Sequence, residues 1–331
     1  MPRKINWESQ IGRRLKLRDL HVFSMVVQHG SMAKAAVQFG VSQPAVSELI
    51  AGLEHALGVR LLDRSSRGIE PTMYGNALLK RSIAVFDELK QGIRDIEFLA
   101  DPATGEIKIA CSPMIAVTVI THVFDRFIKK YPRVLLHFDE VAAASATRNF
   151  PELRDRKYDV ILARGSILAP GRSPPTEEQL ADELNIETLF DDPLVIAAGA
   201  ESKWAARRGK INLAELVDGP WIMQPPHTWN YRHLTEVFDA RGLAMPRASF
   251  VALSMPVIAH FVADGPFIIA TPRSVARFHS LKVLPVDLPV QPWPVNVVTL
   301  KNRTLSPVVE RFIECAREVT KSLAGLPRKR L

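Results

Sequence analysis

Cysteine is almost missing from this 331-residue chain, with only Cys111 and Cys315 present. Two thiols are too few for a disulfide framework or a cysteine-rich zinc site. No apolar run reaches the roughly 18 residues that a membrane span needs. The opening segment, MPRKINWESQIGRRLKLRDL, has no apolar core and does not read as a secretory signal. The nine histidines are scattered, with no His-x-x-x-His spacing on a helix. A G-x-S-x-G elbow and a glycine-rich phosphate loop are both missing, and Cys111 has no identifiable base. His122 falls inside a helical run and reads as a packing or surface residue. The expectation is therefore a cytoplasmic protein that is not an enzyme and needs no metal or cofactor. What is present is ordinary globular material, 47% hydrophobic and 24% charged, with length for one large domain or two to three smaller ones.

The net charge of +8 is uneven. Residues 1–81 hold 12 Lys and Arg against 6 Asp and Glu, and the tail after Pro327 adds three more basic residues. The chain between them is close to neutral. A basic module on a neutral body points to a polyanion partner, with solvated surface charge as the plainer reading.

Residues 17–72 read as three short helices and a turn-rich end. In LRDLHVFSMVVQHG, Leu20, Phe23, Val26 and Val27 share a face, and Gly30 ends the run. Ser31 is a natural N-cap for SMAKAAVQF, and Gly40 supplies a left-handed turn. Ser42 caps VSQPAVSELIAGLEHAL, with Pro44 in its tolerant first turn. At 100° per residue, Val46, Leu49, Ile50, Leu53 and Leu57 form the inner face. Gln43, Pro44, Ser47, Glu48, Ala51 and Glu54 form the outer one. Helix, tight turn, helix is the geometry that sends a helix into a major groove, where glutamine can bond adenine. An ordinary solvated helix face is the alternative. VRLLDRSSRGIEPTMYG then suits a hairpin wing that presents Arg64 and Arg67 to phosphates, while Arg60 equally suits a structural ion pair.

The ordered series LRDLHVF, GSMAKAA, VSQPAVSELIAGLE, LGVRLLDRSSRGIEPTMYG resembles the winged helix-turn-helix of LysR-type transcriptional regulators, without a gap. The resemblance implies that Gln43, Pro44 and Ser47 lie at the major groove of double-stranded DNA, and that Arg64, Ser65 and Arg67 belong to the wing. Ser31 joins the DNA-facing candidates. Glu48 departs from the pattern, standing where the family usually has a basic or amide residue, so the operator sequence stays open. Residues 1–16 are an extra basic extension, and 326–331 form a basic tail.

Residues 73–100, MYGNALLKRSIAVFDELKQGIRDIEFLA, read as one long helix. Leu79, Phe86 and Ile93 are spaced seven apart, with Leu89 and Ile96 between them and Ser82 interrupting the seam. Such a stripe must be covered, by the same chain's body or by another protomer. LysR-type linker helices pair antiparallel, so the resemblance implies a homodimer on an inverted repeat, a homotetramer built as a dimer of dimers, and contact with RNA polymerase.

Asp101 to Gly105 is a turn-rich boundary. Beyond it strands alternate with helices, which predicts an α/β domain with mainly parallel sheets. This resembles the family's effector domain, two-lobed like periplasmic solute-binding proteins, over residues 105–325. Lobe I is placed at 105–164 and 272–325, and lobe II at 165–271. A small-molecule effector would then lie between the lobes at strand C-termini and helix N-termini. Ser112 and Met114 follow the first strand, and Arg164 ends a strand where it could clamp a carboxylate or pair with an acidic neighbour. Gln224, Pro225, Thr228 and Trp229 follow PWIM, with Asn230 as a further hydrogen-bonding group. Ser145 and Ser254 sit in loops after strands. Val141 departs from the glycine the family commonly has there. PTMYG, LADPATGEIKIA and WIMQPP resemble the branch of galactose-binding-protein regulators and protocatechuate-pathway regulators, implying a sugar, sugar acid or aromatic acid. A solute-binding protein or a nonspecific nucleoid protein are the competing readings.

Overall fold

A computed structural model describes residues 15–65, 68–101, 104–141, 150–164, 183–226, 228–289 and 293–325. The chain divides into two compact units, Met1–Ile93 and Arg94–Leu331.

In the first unit, α1 (Leu17–His29), α2 (Met32–Phe39) and α3 (Gln43–Leu57) are separated by Gly30 and Gly40, both left-handed, with φ of 60° and 68°. Any side chain at these positions would be strained. Ser31 and Ser42 cap the second and third helices, each hydroxyl accepting a backbone N–H at 3.4 Å. Phe23, Val26, Val46, Ile50 and Leu53 are fully buried between the three helices. The antiparallel hairpin β1 (Leu62–Ser65) and β2 (Gly68–Pro71) follows. It is tied back to the first turn, Ile69 N–H donating to the Gly30 carbonyl at 3.1 Å.

Helix α4 runs unbroken from Met73 to Ala100. Thr72 starts it, its hydroxyl accepting the Gly75 N–H at 3.1 Å and donating to the Arg60 carbonyl at 2.8 Å. The expected seam is split. Leu79 and Phe86 pack against the winged-helix core, Phe86 lying 5.2 Å from the His21 ring. Only the later part is open: Leu89, Ile93, Ile96 and Leu99 are 46 to 79% exposed. Leu79 and Phe86 are therefore corrected from seam to core, because the helix begins against its own module and leaves it only in its second half.

The second unit holds two five-stranded sheets. The first takes β3 (Thr104–Cys111), β4 (Arg133–Glu140), β5 (Val160–Arg164), β6 (Leu184–Asp192) and β12 (Trp293–Leu300), in the order β4-β3-β5-β12-β6. The second takes β7 (Leu194–Ala198), β8 (Trp221–Met223), β9 (Ala248–Val251), β10 (Ile268–Pro272) and β11 (Lys282–Val283), in the order β11-β7-β10-β8-β9. Both are mixed rather than mainly parallel: β12 is antiparallel to both its neighbours, and β7 likewise. The lobe boundaries shift too. Strand β6 pairs with β12 in lobe I, and residues 272–283 stay with lobe II through β11. The chain crosses between lobes at Pro193 and again between β11 and β12.

Lobe I is packed by helix 113–130 and the C-terminal helix Pro307–Gly325, with Val119, Phe127 and Phe312 at the centre of its core. The first of these helices contains a π turn, Ala116–Ile120, a form concentrated at functional sites. Lobe II buries Trp221 and Phe238 on one sheet face, and Ile258, Val262 and Ile269 on the other.

Candidate functional site

The first candidate surface is built on α3. Its inward residues Val46, Ile50 and Leu53 are buried, which leaves Gln43, Pro44 and Glu48 exposed and Ser47 half-buried. Short hydrogen-bonding groups in the first turn of a helix are what base reading requires. Arg64 is exposed on β1. Ser65 ends that strand, and Arg67 lies outside the described residues. Ser31 spends its acceptor on the cap of α2. Glu54 is corrected: it does not belong to the outer face. Its Oε1 accepts the backbone N–H groups of Leu61 at 2.8 Å and Leu62 at 3.2 Å, which ties the end of α3 to the start of the hairpin.

The second candidate surface lies at the C-terminal edges of the parallel strands, where the lobes meet. Ser112 follows β3, is 3% exposed, and makes no cap bond; its hydroxyl has no partner among the described residues. Met114 packs against the lobe II core cluster that contains Met255 and Ile258, so it is an interlobe contact. Across the cleft, the helix Arg273–Phe278 packs on the π turn. After β8, Gln224 and Pro225 are half-buried. The Thr228 hydroxyl donates to the Pro225 carbonyl at 2.7 Å and caps the helix Trp229–Asp239, which occupies it. Trp229 stacks on His233 at 4.0 Å, and burial holds that imidazole below its ordinary range, favouring the neutral ring. Asn230 is buried and donates to the Ala270 carbonyl at 3.4 Å; its Oδ1 has no partner among the described residues. The buried Thr271 hydroxyl is in the same state. Thr271 is missing from the sequence reading, although the rule that ligands bind beyond strand ends applies equally to PFIIATP. Ser254 is exposed before the helix Met255–Ala263. Ser145 lies outside the described residues.

Arg164 behaves differently from a ligand clamp. Its buried guanidinium is ion-paired with Asp192, the last residue of β6. Asp192 also accepts the backbone N–H of Ser274 at 2.9 Å and its hydroxyl at 2.5 Å. The charge is thus engaged within a network that joins lobe I to the first turn after β10. This is the ion-pair alternative of the sequence reading, made by a residue 28 positions away.

Two open cavities of lobe II lie elsewhere. One, of about 550 Å³, is lined by Ala200, Glu201 and Asp264. The other, of about 500 Å³, is lined by Asp218, Arg247 and Ser249. Both sit before the parallel strands β10, β8 and β9, at the edge opposite Ser112-type positions. Both cysteines are buried and free, and burial pushes both thiols up, so neither is poised as a nucleophile. Among the described residues no group of three or more His, Cys, Asp or Glu is placed to hold a metal ion, and no helix is long and apolar enough to cross a membrane.

Comparison with known proteins matches both units. Residues 17–76 fit the family described as bacterial regulatory helix-turn-helix protein, lysR family, and residues 100–321 fit the LysR substrate binding domain. The HTH-type transcriptional regulator TdcA of Escherichia coli is 26% identical over 96% of this chain and 96% of its own length. The regulator GbpR of Azospirillum brasilense is 25% identical over 89% of this chain and 83% of its own. The structure of a full-length OxyR variant from Pseudomonas aeruginosa shares the fold, with a TM-score of 0.59 at 21% identity, over 93% of this chain and 95% of that one. With both family models matched and together spanning most of its length, this chain belongs to the LysR family of transcriptional regulators.

Proposed function

We propose that the chain binds promoter DNA as a homodimer through α3 and the wing, and that a small molecule held between the lobes sets its output. The dimers pair into a tetramer. The observation that carries the DNA half is the first turn of α3, where Gln43 and Pro44 are exposed over a fully buried inner face. The exposed stripe Leu89, Ile93, Ile96 and Leu99 supports pairing of linker helices. A preference of the effector for one lobe arrangement then shifts the spacing of the DNA-binding modules, and polymerase contact with it.

For the effector, Ser112, Asn230 and Thr271 supply hydrogen-bonding capacity that nothing among the described residues uses, and Trp229 supplies an aromatic wall. Arg164, the cation a carboxylate would need there, is engaged by Asp192. These groups support a hydroxyl-rich, sugar-type effector over an acid. The two relatives at 25 and 26% identity do not favour one branch of the family.

Two substitutions separate base reading from phosphate attraction. Gln43→Ala is expected to weaken binding to the preferred operator by about 1–3 kcal/mol while sparing unrelated DNA. Arg64→Ala is expected to weaken all sequences alike and to lower the salt slope by about one. Operator titrations across a salt series check both, and unchanged selectivity in Gln43→Ala would remove that residue from base reading. Ser112→Ala is expected to keep operator affinity and lose the ligand response of a promoter reporter. A normal response would leave Ser112 as a helix-start residue only.

A further inference from the structure

Two opposite charges line one open cavity of lobe II, at the strand edge away from the cleft. The cavity, of about 500 Å³, is walled by Val217, Asp218, Gly219, Met245, Arg247 and Ser249. That volume falls in the range of small-molecule sites. Strands β8 and β9 run parallel, with Trp221 opposite Ala248. Asp218 shortly precedes Trp221 and Arg247 directly precedes Ala248, so strand pairing brings both charges to the same edge. The turn that carries Asp218 is fixed. Its Leu216 carbonyl accepts the Gly219 N–H at 3.0 Å and the Trp221 indole N–H at 2.6 Å. On the other strand, Arg247 follows the buried Pro246. The register then shifts: Ile222 pairs with Phe250, which leaves Ser249 as the extra residue of a bulge. Bulges re-aim side chains and are concentrated beside functional sites, and this one lies on the cavity wall.

Both charges are exposed, and neither forms an ion pair with the other or with any other described residue. Groups of opposite sign that share a cavity without bridging leave room for a molecule that carries both charges. A carboxylate matches the guanidinium fork of Arg247, and the Ser249 hydroxyl can donate to the same group. An ammonium matches Asp218. Val217 and Met245, half-buried against the lobe II core, offer an apolar wall to the rest of the molecule. The other open cavity, lined by Glu201 and Asp264, has no cation in its wall and lacks this pairing.

We propose that this cavity binds a free α-amino acid with an apolar side chain, Arg247 holding its carboxylate and Asp218 its ammonium. The site is separate from the effector cleft and stands or falls without it. Both charges meet solvent, where screening weakens such contacts, so the affinity is modest, about millimolar.

Titration calorimetry of the full chain at low ionic strength tests the site, with L-leucine, L-isoleucine, L-valine and L-methionine as probes. At least one is expected to bind. Its analogues lacking the amine or the carboxylate (4-methylpentanoate and 3-methylbutylamine in the case of leucine) should bind about tenfold more weakly or not at all. Asp218→Asn and Arg247→Gln should each weaken the amino acid about tenfold while thermal unfolding without ligand stays as in the parent. Arg247→Lys, which keeps the charge but loses the fork, should fall between. Ser112→Ala should bind like the parent. Binding of none of the four acids, equal binding of the analogues, or parent-like binding in Arg247→Gln overturns the proposal. Loss of binding in Ser112→Ala with retention in Asp218→Asn would put the amino acid in the cleft, and overturns this site as well.

Discussion

Asp192→Ala is expected to destabilise the second unit by about 3–5 kcal/mol, the range for stranding a buried charge. The Arg164 side chain is fully buried against Asp192, and alanine removes that carboxylate. The Ser274 N–H and hydroxyl lose their acceptor in the same step. Asp192→Asn should cost less, because an amide oxygen still accepts from Ser274 although the charge is gone. The double variant Arg164→Met, Asp192→Leu should recover much of the loss, since an apolar pair removes the stranded charge. Denaturant unfolding followed by tryptophan fluorescence reads this directly, because four of the five tryptophans, Trp204, Trp221, Trp229 and Trp293, belong to the second unit. A loss below about 1 kcal/mol in Asp192→Ala would mean that Arg164 is compensated by other groups.

Gly75→Ala is the second large effect, and its sign is set by two opposed contributions. Alanine in a helix is favoured over glycine by about 1 kcal/mol. A Cβ on Gly75, however, would stand 2.1 Å from the Leu61 carbonyl oxygen, an approach no real Cβ makes. That oxygen is backbone and already accepts the Thr72 N–H at 2.9 Å. Relief requires moving the hairpin off the helix, which overpacking values place at about 1–3 kcal/mol or more. The clash therefore wins, and wing displacement should weaken operator binding more than tenfold. Gly92 in the same helix supplies the control: nothing lies within 4 Å of its would-be Cβ. Gly92→Ala should stabilise by about 0.5–1 kcal/mol and leave DNA binding intact. Thermal unfolding and operator titration of the two variants measure the contrast. Equal behaviour would contradict the close approach at Gly75.

The winged helix was legible because its signals are local. Ser31, Gly40, Ser42 and Gly58 punctuate helices whose apolar spacing states which face turns inward. The long helix was legible for the same reason, and its apolar stripe could be read but not its two covers. Leu79 and Phe86 face their own module only because α4 starts against the hairpin, a tertiary fact. Glu54 falls on the outer face of an ideal helical wheel, yet the chain returns past it at Leu61, and two unsatisfied N–H groups claim its carboxylate. Strand β6 is hard to separate from β7 in the sequence because it is a half-exposed edge strand, so LNIETLFDD shows no apolar run and FDDPLVIAAG reads as a single strand across Pro193. The lobe boundary and the pairing of Asp192 with Arg164 both depend on that separation. In the cleft, the strand-end rule points to Ser112, whose hydroxyl is unused among the described residues, while bonding separates the others: Thr228 is used by its own helix, and Asn230 and Thr271 hold further unused groups.

The central claim is that this chain reads DNA sequence rather than merely attracting DNA. The exposed first turn of α3 at Gln43 and Pro44 predicts reading, whereas the excess of basic residues in the first 81 positions would suffice for attraction. Selection of genomic fragments by the purified full chain at about 0.15 M salt, followed by sequencing, separates the two, because nonspecific binding collapses on all sequences alike as salt rises. The account predicts enrichment of a few promoters that carry an inverted repeat, matching a two-fold dimer. Uniform recovery of all fragments would contradict it.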